Sequence, residues 1–438
     1  MKRPRLIIAP GKEKALLRRH PWIFSGAVRR IEGTPQEGDV VDVADSDGHW
    51  LATGHYQPDS IVCKVLSFDT PDIDDAFFRQ RLRSAIEYRR RMGFLFGHGM
   101  AATDVFRLVH AEGDMMPGLV ADWYNGIVVL QAHSVGMHRL FPLFVVLLRE
   151  LLGDALVAVF DKSSATLPSR RDSTPSTADA AQDGYLWYAD SRPEDDWEVT
   201  EHGNRLLIDF YEGQKTGFFI DQRDNRALVQ QLAAGHRVLN CFGYTGGFSL
   251  AALRGGAAFV ETVDISRKAI ALCNRNVALN FGDAAPHRGT VADVLDFLAH
   301  PDGMRRHPAP QGPAAAASLS DGGTLGGRAD GVPPFDFIVL DPPAFAKNHR
   351  VLQAALKGYR SINQRAMEAL PDGGLLMTFS CSQAVSVDDF RTMVFTAAAN
   401  AKRQVRIVRN LPHAADHPVS VYHPEGEYLK GMLLEVGY

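Results

Sequence analysis

The sequence predicts an α/β fold in which a doubly wound parallel sheet follows a small β-barrel and a central α/β segment, on three observations. From about residue 203 onward, strand and helix signals alternate, the pattern of a parallel sheet with helices on both faces. Residues 1–70 read instead as short strands and turns. Residues 72–200 mix strand runs with helical periodicity and form the middle segment. At roughly 100–200 residues per domain, the 438-residue chain has room for two to four domains.

Taken in order, Gly38-Asp39 opens a strand at 40–43, and Asp47-Gly48 turns the chain before Trp50. Residues 72–92 read as a helix, with Asp74 and Asp75 in an acidic first turn and Phe78, Leu82 and Ile86 on one face. Strands are expected at 107–109 and 126–130, and a second helix at 137–152. Residues 162–182, rich in Ser, Thr, Ala and Asp, and residues 301–334, rich in Ala, Gly and Pro, have the composition of mobile loops and are not expected to carry chemistry. The alternating part places strands at 237–241, 259–263, 336–340 and 374–379, with helices at 222–233, 247–254, 266–280 and 352–370. Asp221 reads as the cap of the first of these helices.

Hydrophobic residues at 45% and charged residues at 22% are ordinary for a globular protein with a sizeable core. No apolar run approaches the ~20 residues that cross a bilayer, so no membrane partner is expected, and the apolar part of the N-terminus is too short for a secretory signal. Four cysteines, at 63, 241, 273 and 381, make neither a disulfide framework nor a metal pattern, which points to a reducing cytoplasm and no metal. Net charge is −4, yet residues 1–34 carry nine Lys or Arg against two Glu, a local +7. A second cluster, Arg79 to Arg91, lies on the predicted helix 72–92. Such faces attract phosphate, although a solvated surface with scattered charge weighs equally here.

The run Val238 to Phe248 (VLNCFGYTGGF) is a buried strand, a glycine-rich turn and the start of a helix. Glycines let backbone approach a ligand, and a helix N-terminus offers free N–H groups. Twenty-one residues after Gly243, Asp264 ends the next strand, where a carboxylate can accept both hydroxyls of a ribose. The spacing is G-x-x-G-G rather than G-x-G-x-x-G, which favours a methyl donor over a dinucleotide, with a plain strand–helix turn as the weakest reading. Asp293 can accept from an adenine amino group or cap helix 294–299. Phe218 or Phe219 can pack on the adenosine, with core packing the better reading of either one alone.

Asp341-Pro342-Pro343 ends the strand at 336–340. The prolines fix the loop, and Asp341 can accept from a base's exocyclic amine; in isolation the motif is a strand terminator. The next strand ends at Ser380-Cys381-Ser382. Cytosine C5 is a poor nucleophile, and thiolate addition at C6 activates it; cysteine both attacks near neutral pH and leaves again. A buried small hydrophobe is the alternative for Cys381 and the better reading of the other three cysteines.

Across these motifs the chain resembles the bacterial large-subunit ribosomal RNA cytosine-C5 methyltransferase I family. The resemblance runs nearly end to end: residues 16–27 (LLRRHPWIFSGA), 213–226 (GQKTGFFIDQRDNR), the 240–248 turn, Asp341-Pro342-Pro343, Ser380-Cys381-Ser382, 415–418 (ADHP) and 424–431 (PEGEYLKG). It implies a PUA domain at 1–70, a central α/β domain at 72–200, and a Rossmann-like class I methyltransferase domain at 203–438. Segments 162–182 and 301–334 are longer than that family's pattern. It implies S-adenosylmethionine held by Lys215, Thr216, Phe242, Gly243, Tyr244, Thr245, Gly246, Asp264, Ile265 and Asp293. Cys381 and Asp341 become the catalytic pair, and Pro342, Pro343, Phe345, Arg18 and Arg19 the contacts to large-subunit ribosomal RNA. A homodimer stays open as a partner. Two other readings share the fold: a guanine-N7 methyltransferase, which needs no thiolate after the following strand, and a non-catalytic ribosome-assembly factor. Intact Asp264, Asp341 and Cys381 argue against the latter.

Overall fold

The computed structural model describes residues 3–97, 102–167, 182–299, 335–346 and 349–438. Two compact units result: one of Met1–Gly203, Leu207–Asp221 and Ala415–Gly426, the other of Asn204–Leu206, Gln222–Ala414 and Glu427–Tyr438. Segment 301–334 and residues 168–181 lie outside the described residues.

In the first unit, alternating apolar residues build a six-stranded sheet from Arg5–Ile8, Trp22–Phe24, Val28–Glu32, Val40–Ala44, Trp50–Tyr56 and Ile61–Ser67. Its own cluster of Leu6, Ile23, Val41, Val43, Ala52 and Val65 is buried. A five-stranded sheet, of Val105–His110, Leu119–Tyr124, Ile127–Ala132, Ala158–Asp161 and Gly184–Tyr188, carries a second core with Phe78, Leu82 and Ile86 of the helix Asp75–Arg91. Asp74 caps that helix by accepting from the Phe77 N–H at 2.9 Å.

Three expectations for this unit are corrected. The helix expected at 137–152 divides into Val135–His138 and Phe141–Leu152, because Pro142 lacks an N–H and is tolerated only in a first turn. The stretch expected to loop out from 162 is built in at its start: Lys162 and Ser163 are buried, and the Lys162 ammonium donates to the carbonyls of Phe210 and Tyr211. The arginine cluster is not a uniform basic face. Arg89 is fully buried, forked onto the Asp114 carboxylate and donating to the Asp416 carbonyl, and Arg79 pairs with Glu150. Arg107 is forked onto Asp122 at 2.7 and 3.0 Å, and its own N–H donates to the Asp416 carboxylate at 2.7 Å.

The second unit is a seven-stranded sheet: β1 (Arg237–Cys241), β2 (Phe259–Asp264), β3 (His287–Val291), β4 (Phe337–Leu340), β5 (Gly374–Ser380), β6 (Val405–Asn410) and β7 (Lys430–Val436). The order is β3-β2-β1-β4-β5-β7-β6. The helices are α1 (Arg223–Leu232), α2 (Gly247–Arg254), α3 (Arg267–Phe281), α4 (Val294–Ala299), α5 (Leu352–Ala369) and α6 (Val387–Ala401). The first five strands in that order are parallel, as expected. The closing β7 is not: it runs antiparallel between β5 and β6. A hairpin-like return needs no crossover helix, so the alternation signal is silent there. The fully apolar β4 is buried on both faces, as a central strand must be. Helix α1 starts after Gln222 without a side-chain cap, and Asp221 instead pairs with Lys215 at 2.9 Å, so the cap expectation fails.

Removing one partner of a buried ion pair leaves an uncompensated charge. Asp114→Ala is therefore expected to lower unfolding free energy by about 3–5 kcal/mol, read from urea denaturation followed on the first unit's tryptophans.

Candidate active site

Strand β1 runs into the glycine turn at its carboxyl end, and the backbone there is strained in a specific way. Phe242 and Tyr244 hold left-handed conformations, φ 58° and 46°, and Gly246 has φ 87°. Gly243 is required for another reason: a Cβ there would lie 2.2 Å from Thr262 Cγ2 on β2. Residues held so are found where surrounding structure overdetermines them, commonly at ligand sites. The turn is fastened to β2, since the Gly243 N–H donates to the Val263 carbonyl at 3.1 Å. The Tyr244 N–H donates to Asp264 Oδ2 at 3.0 Å, and the Ser266 N–H to Asp264 Oδ1 at 2.8 Å. Thr245 is buried, with its carbonyl accepting from Asn276 Nδ2.

The group implied here fits the residues present. Helix α2 begins at Gly246 with no side-chain cap, which leaves its first N–H groups available to a carboxylate. Asp264 supplies acceptor oxygens at the adjoining strand end, and Ile265, 72% exposed, offers an apolar face that no core packing explains. Asp293 lies beyond the end of the neighbouring β3 and is exposed; its Oδ1 accepts from the Asp296 N–H at 3.1 Å, so it caps α4. Lys215 and Thr216 belong to the first unit, where Lys215 pairs with Asp221. The Thr216 hydroxyl donates to Asp122 and meets the Tyr124 hydroxyl, so its bonding capacity is taken up by the fold. Phe218 is buried, as expected of a core residue.

The second half of the site lies beyond β4 and β5. Asp341 ends β4, and its Oδ1 accepts from Gln222 Nε2 at 3.0 Å. Gln222 Oε1 accepts in turn from Asn225 Nδ2 at 2.7 Å, which fixes the amide's orientation. Pro342 is buried, Pro343 is exposed, and Phe345 packs on the Tyr359 ring at 4.6 Å. Cys381 directly follows β5, with its Sγ 4.0 Å from the Pro342 carbonyl. The Ser382 hydroxyl accepts from the Ala346 N–H at 3.1 Å and shares a 2.9 Å bond with the Tyr359 hydroxyl. Lys430, opening β7, is buried and donates to the carbonyls of Ser382 and Tyr428, both at 2.7 Å.

Burial separates the four thiols. It drives those of Cys63 and Cys241 far above the ordinary range and Cys273 to about 12, whereas Cys381 alone of the four retains solvent access. Burial also lowers the Lys430 ammonium to about 8, against a contribution from Cys381 that raises it.

Residues 6–68 match the PUA-like domain family, and residues 106–293 match the S-adenosylmethionine-dependent methyltransferase family. Ribosomal RNA large subunit methyltransferase I of Klebsiella pneumoniae (strain 342) is 38% identical over 435 residues, 99% of this chain and 98% of its own. The enzyme of that name from Escherichia coli O139:H28 is 37% identical over 434 residues, 99% of each chain. The chain belongs to the ribosomal RNA large subunit methyltransferase I family. Its fold is shared by a SAM-dependent methyltransferase structure from Streptococcus mutans, TM-score 0.77, 20% identity, covering 98% of this chain and 99% of that one. A methyltransferase solved in complex with SAH matches at TM-score 0.78 and 21% identity over the same shares. Members of this family are S-adenosylmethionine-dependent and combine a PUA-like β domain with a Rossmann-like sheet, as the resemblance implied. No helix among the described residues is long and apolar enough to cross a membrane.

Within this family member, sequence reasoning passed over Gln222, Asn225, Tyr359 and Lys430. Gln222 and Asn225 stood in GQKTGFFIDQRDNR, and Lys430 in PEGEYLKG, so the motifs held them without showing what they touch. Tyr359 sits in an ordinary amphipathic helix and had no signal at all. Gly246→Ala would set a Cβ 2.5 Å from Cys273 Sγ on a left-handed backbone. We expect a loss of about 1–3 kcal/mol in stability, together with weaker S-adenosylmethionine binding by calorimetry.

Proposed function

We propose that the chain methylates carbon 5 of a cytosine in large-subunit ribosomal RNA, with Cys381 as the nucleophile. The observation that carries this reading is the placement of the solvent-accessible cysteine beside the Asp341-Pro342-Pro343 loop, while the other three thiols are buried in packing roles. When bound, S-adenosylmethionine supplies an electrophilic methyl group. Cys381 adds as a thiolate to C6, forming an S–C6 bond and making C5 nucleophilic. After C5 has taken the methyl, loss of its proton returns an electron pair that breaks the S–C6 bond and frees the thiolate. Asp341, oriented by Gln222, accepts from the cytosine N4 amine. Pro342, Pro343 and Phe345 shape the base pocket, into which the target nucleotide must be turned out of its stack.

On the donor side, Asp264 takes the ribose hydroxyls. The turn from Phe242 to Gly246 would hold the methionine part, Ile265 would pack on the adenosine, and Asp293, which caps α4 through Oδ1, would accept from the adenine amine. The PUA-like domain, at 1–70 in the three-domain division, contributes RNA contacts through exposed Arg18 and Arg19, the latter paired with Asp69 on the surface.

The test is to incubate protein, labelled donor and 5-fluorocytosine-containing ribosomal RNA, in which fluorine blocks loss of the C5 substituent. A covalent protein–RNA adduct should accumulate with the native chain and be absent with Cys381→Ala; full turnover by a Cys381→Ser variant, or a methylated purine as product, would refute the reading. Separately, reversing Arg18, Arg19 and Arg29 to Glu should weaken RNA binding and flatten its salt dependence by about one unit of slope for each phosphate no longer neutralised, with donor affinity unchanged.

A further inference from the structure

Lys430 differs from the buried cations Arg89, Arg107 and Lys162, each of which has a carboxylate partner. It is 6% exposed, and among the described residues it forms no salt bridge. Two of its N–H groups go to neutral carbonyls, those of Ser382 and Tyr428, and the third has no acceptor among the described residues. Burying an ammonium without an anion is costly enough that it ordinarily deprotonates or acquires a counter-ion. The register of β5 against β7 pairs Ser380 with Lys430, and the Ser382 carbonyl binds the ammonium, so the residues flanking Cys381 on both sides are tied to Lys430.

We propose that Lys430 is a positioning residue whose ammonium is the counter-ion of the Cys381 thiolate, held beside it so that the nucleophile is ionised before RNA arrives. This rests on Cys381 being the nucleophile. The other titratable groups around the pair are few. Tyr359, on α5, has a hydroxyl raised by burial and is bonded to Ser382; Asp341 ends β4; and Glu427, exposed before β7, supports the ammonium from a distance. Of these, Lys430 is the cation. The balance is simple: the thiol gives its proton to water, and the charge left on sulfur faces an ammonium that keeps its own proton below about pH 8. Two carbonyls hold the ammonium, and neither can neutralise it.

The experiment is the pH dependence of Cys381 alkylation by iodoacetamide in the full chain without RNA, read by mass spectrometry of the Cys381 peptide; the other three thiols are buried. The native inflection should lie at least one unit below the ordinary cysteine value of about 8.5. In Lys430→Met it should move up by a unit or more, slowing alkylation at pH 7 about tenfold, and Lys430→Arg should restore most of the shift. S-adenosylmethionine binding by each variant reports intact folding. A native inflection at the ordinary value overturns the proposal without any variant. So does an unshifted Lys430→Met profile, including one in which RNA affinity falls instead, which would make Lys430 a phosphate contact. Because alkylation reads the thiol alone, a lowered inflection in a protein that forms no fluorocytosine adduct would leave the ion pair standing and remove the nucleophile assignment.

Discussion

One serine hydroxyl ties the loop after β4 to the loop after β5. Among the described residues, the loop after β4 and the loop after β5 are irregular and have no ladder to fix them. Ser382 Oγ accepts from the Ala346 N–H in the first loop, and Tyr359 reaches across from α5 to bond that same oxygen. Each such bond contributes only about 0.5–1.5 kcal/mol. Their effect is geometric. They set Cys381 against the Pro342 carbonyl, and so beside Asp341, instead of leaving each loop to find its own position. Tyr359 serves both purposes at once, since its ring also carries Phe345. A fully buried tyrosine on a helix otherwise lined by Ile362, Ala366 and Met367 is therefore part of the site's architecture rather than of the core alone.

The turn after β1 is held by a comparable economy of parts. Gly243 lets the chain pass within van der Waals contact of β2, and the left-handed residues on either side reverse its direction within a few residues. Asp264 then spends both carboxylate oxygens on backbone N–H groups while remaining an acceptor, because each oxygen has a second lone pair. The same carboxylate thus fixes the turn and presents charge at the strand end, which is why strain there is tolerated.

Much of this was legible because strand ends and turns are local. The β1 turn, Asp264, Asp341-Pro342-Pro343 and Cys381 all follow apolar strand runs closely enough for a linear reading to place them together at the carboxyl edge of a sheet. Long-range return was not legible. Strand β7 enters the sheet from the far end of the chain and slots between β5 and β6, so Lys430 meets the Ser380–Ser382 segment across almost fifty residues with no spacing rule to announce it. Gln222 reaches Asp341 over a still longer separation, 119 residues. The arginines of the helix Asp75–Arg91 misled for the opposite reason. Composition suggested one charged face, but a helix turns 100° per residue, and Arg89 falls on the buried side with Phe78, Leu82 and Ile86.

The treatment of buried charge separates scaffold from site. In the first unit, Arg89 and Arg107 each receive a forked carboxylate, with backbone carbonyls besides for Arg89 and the His110 ring for Arg107, the arrangement in which a buried guanidinium is compensated. The chain can therefore satisfy a buried cation where nothing but stability is at stake. Around the Lys430 ammonium it supplies the carbonyl oxygens of Ser382 and Tyr428. A carboxylate bonded to that ammonium would neutralise it; with carbonyls in its place the charge stays uncompensated, at a cost in folding energy. A local rule obeyed at Arg89 and Arg107 and broken at Lys430 is what a constraint imposed by chemistry rather than by folding should produce.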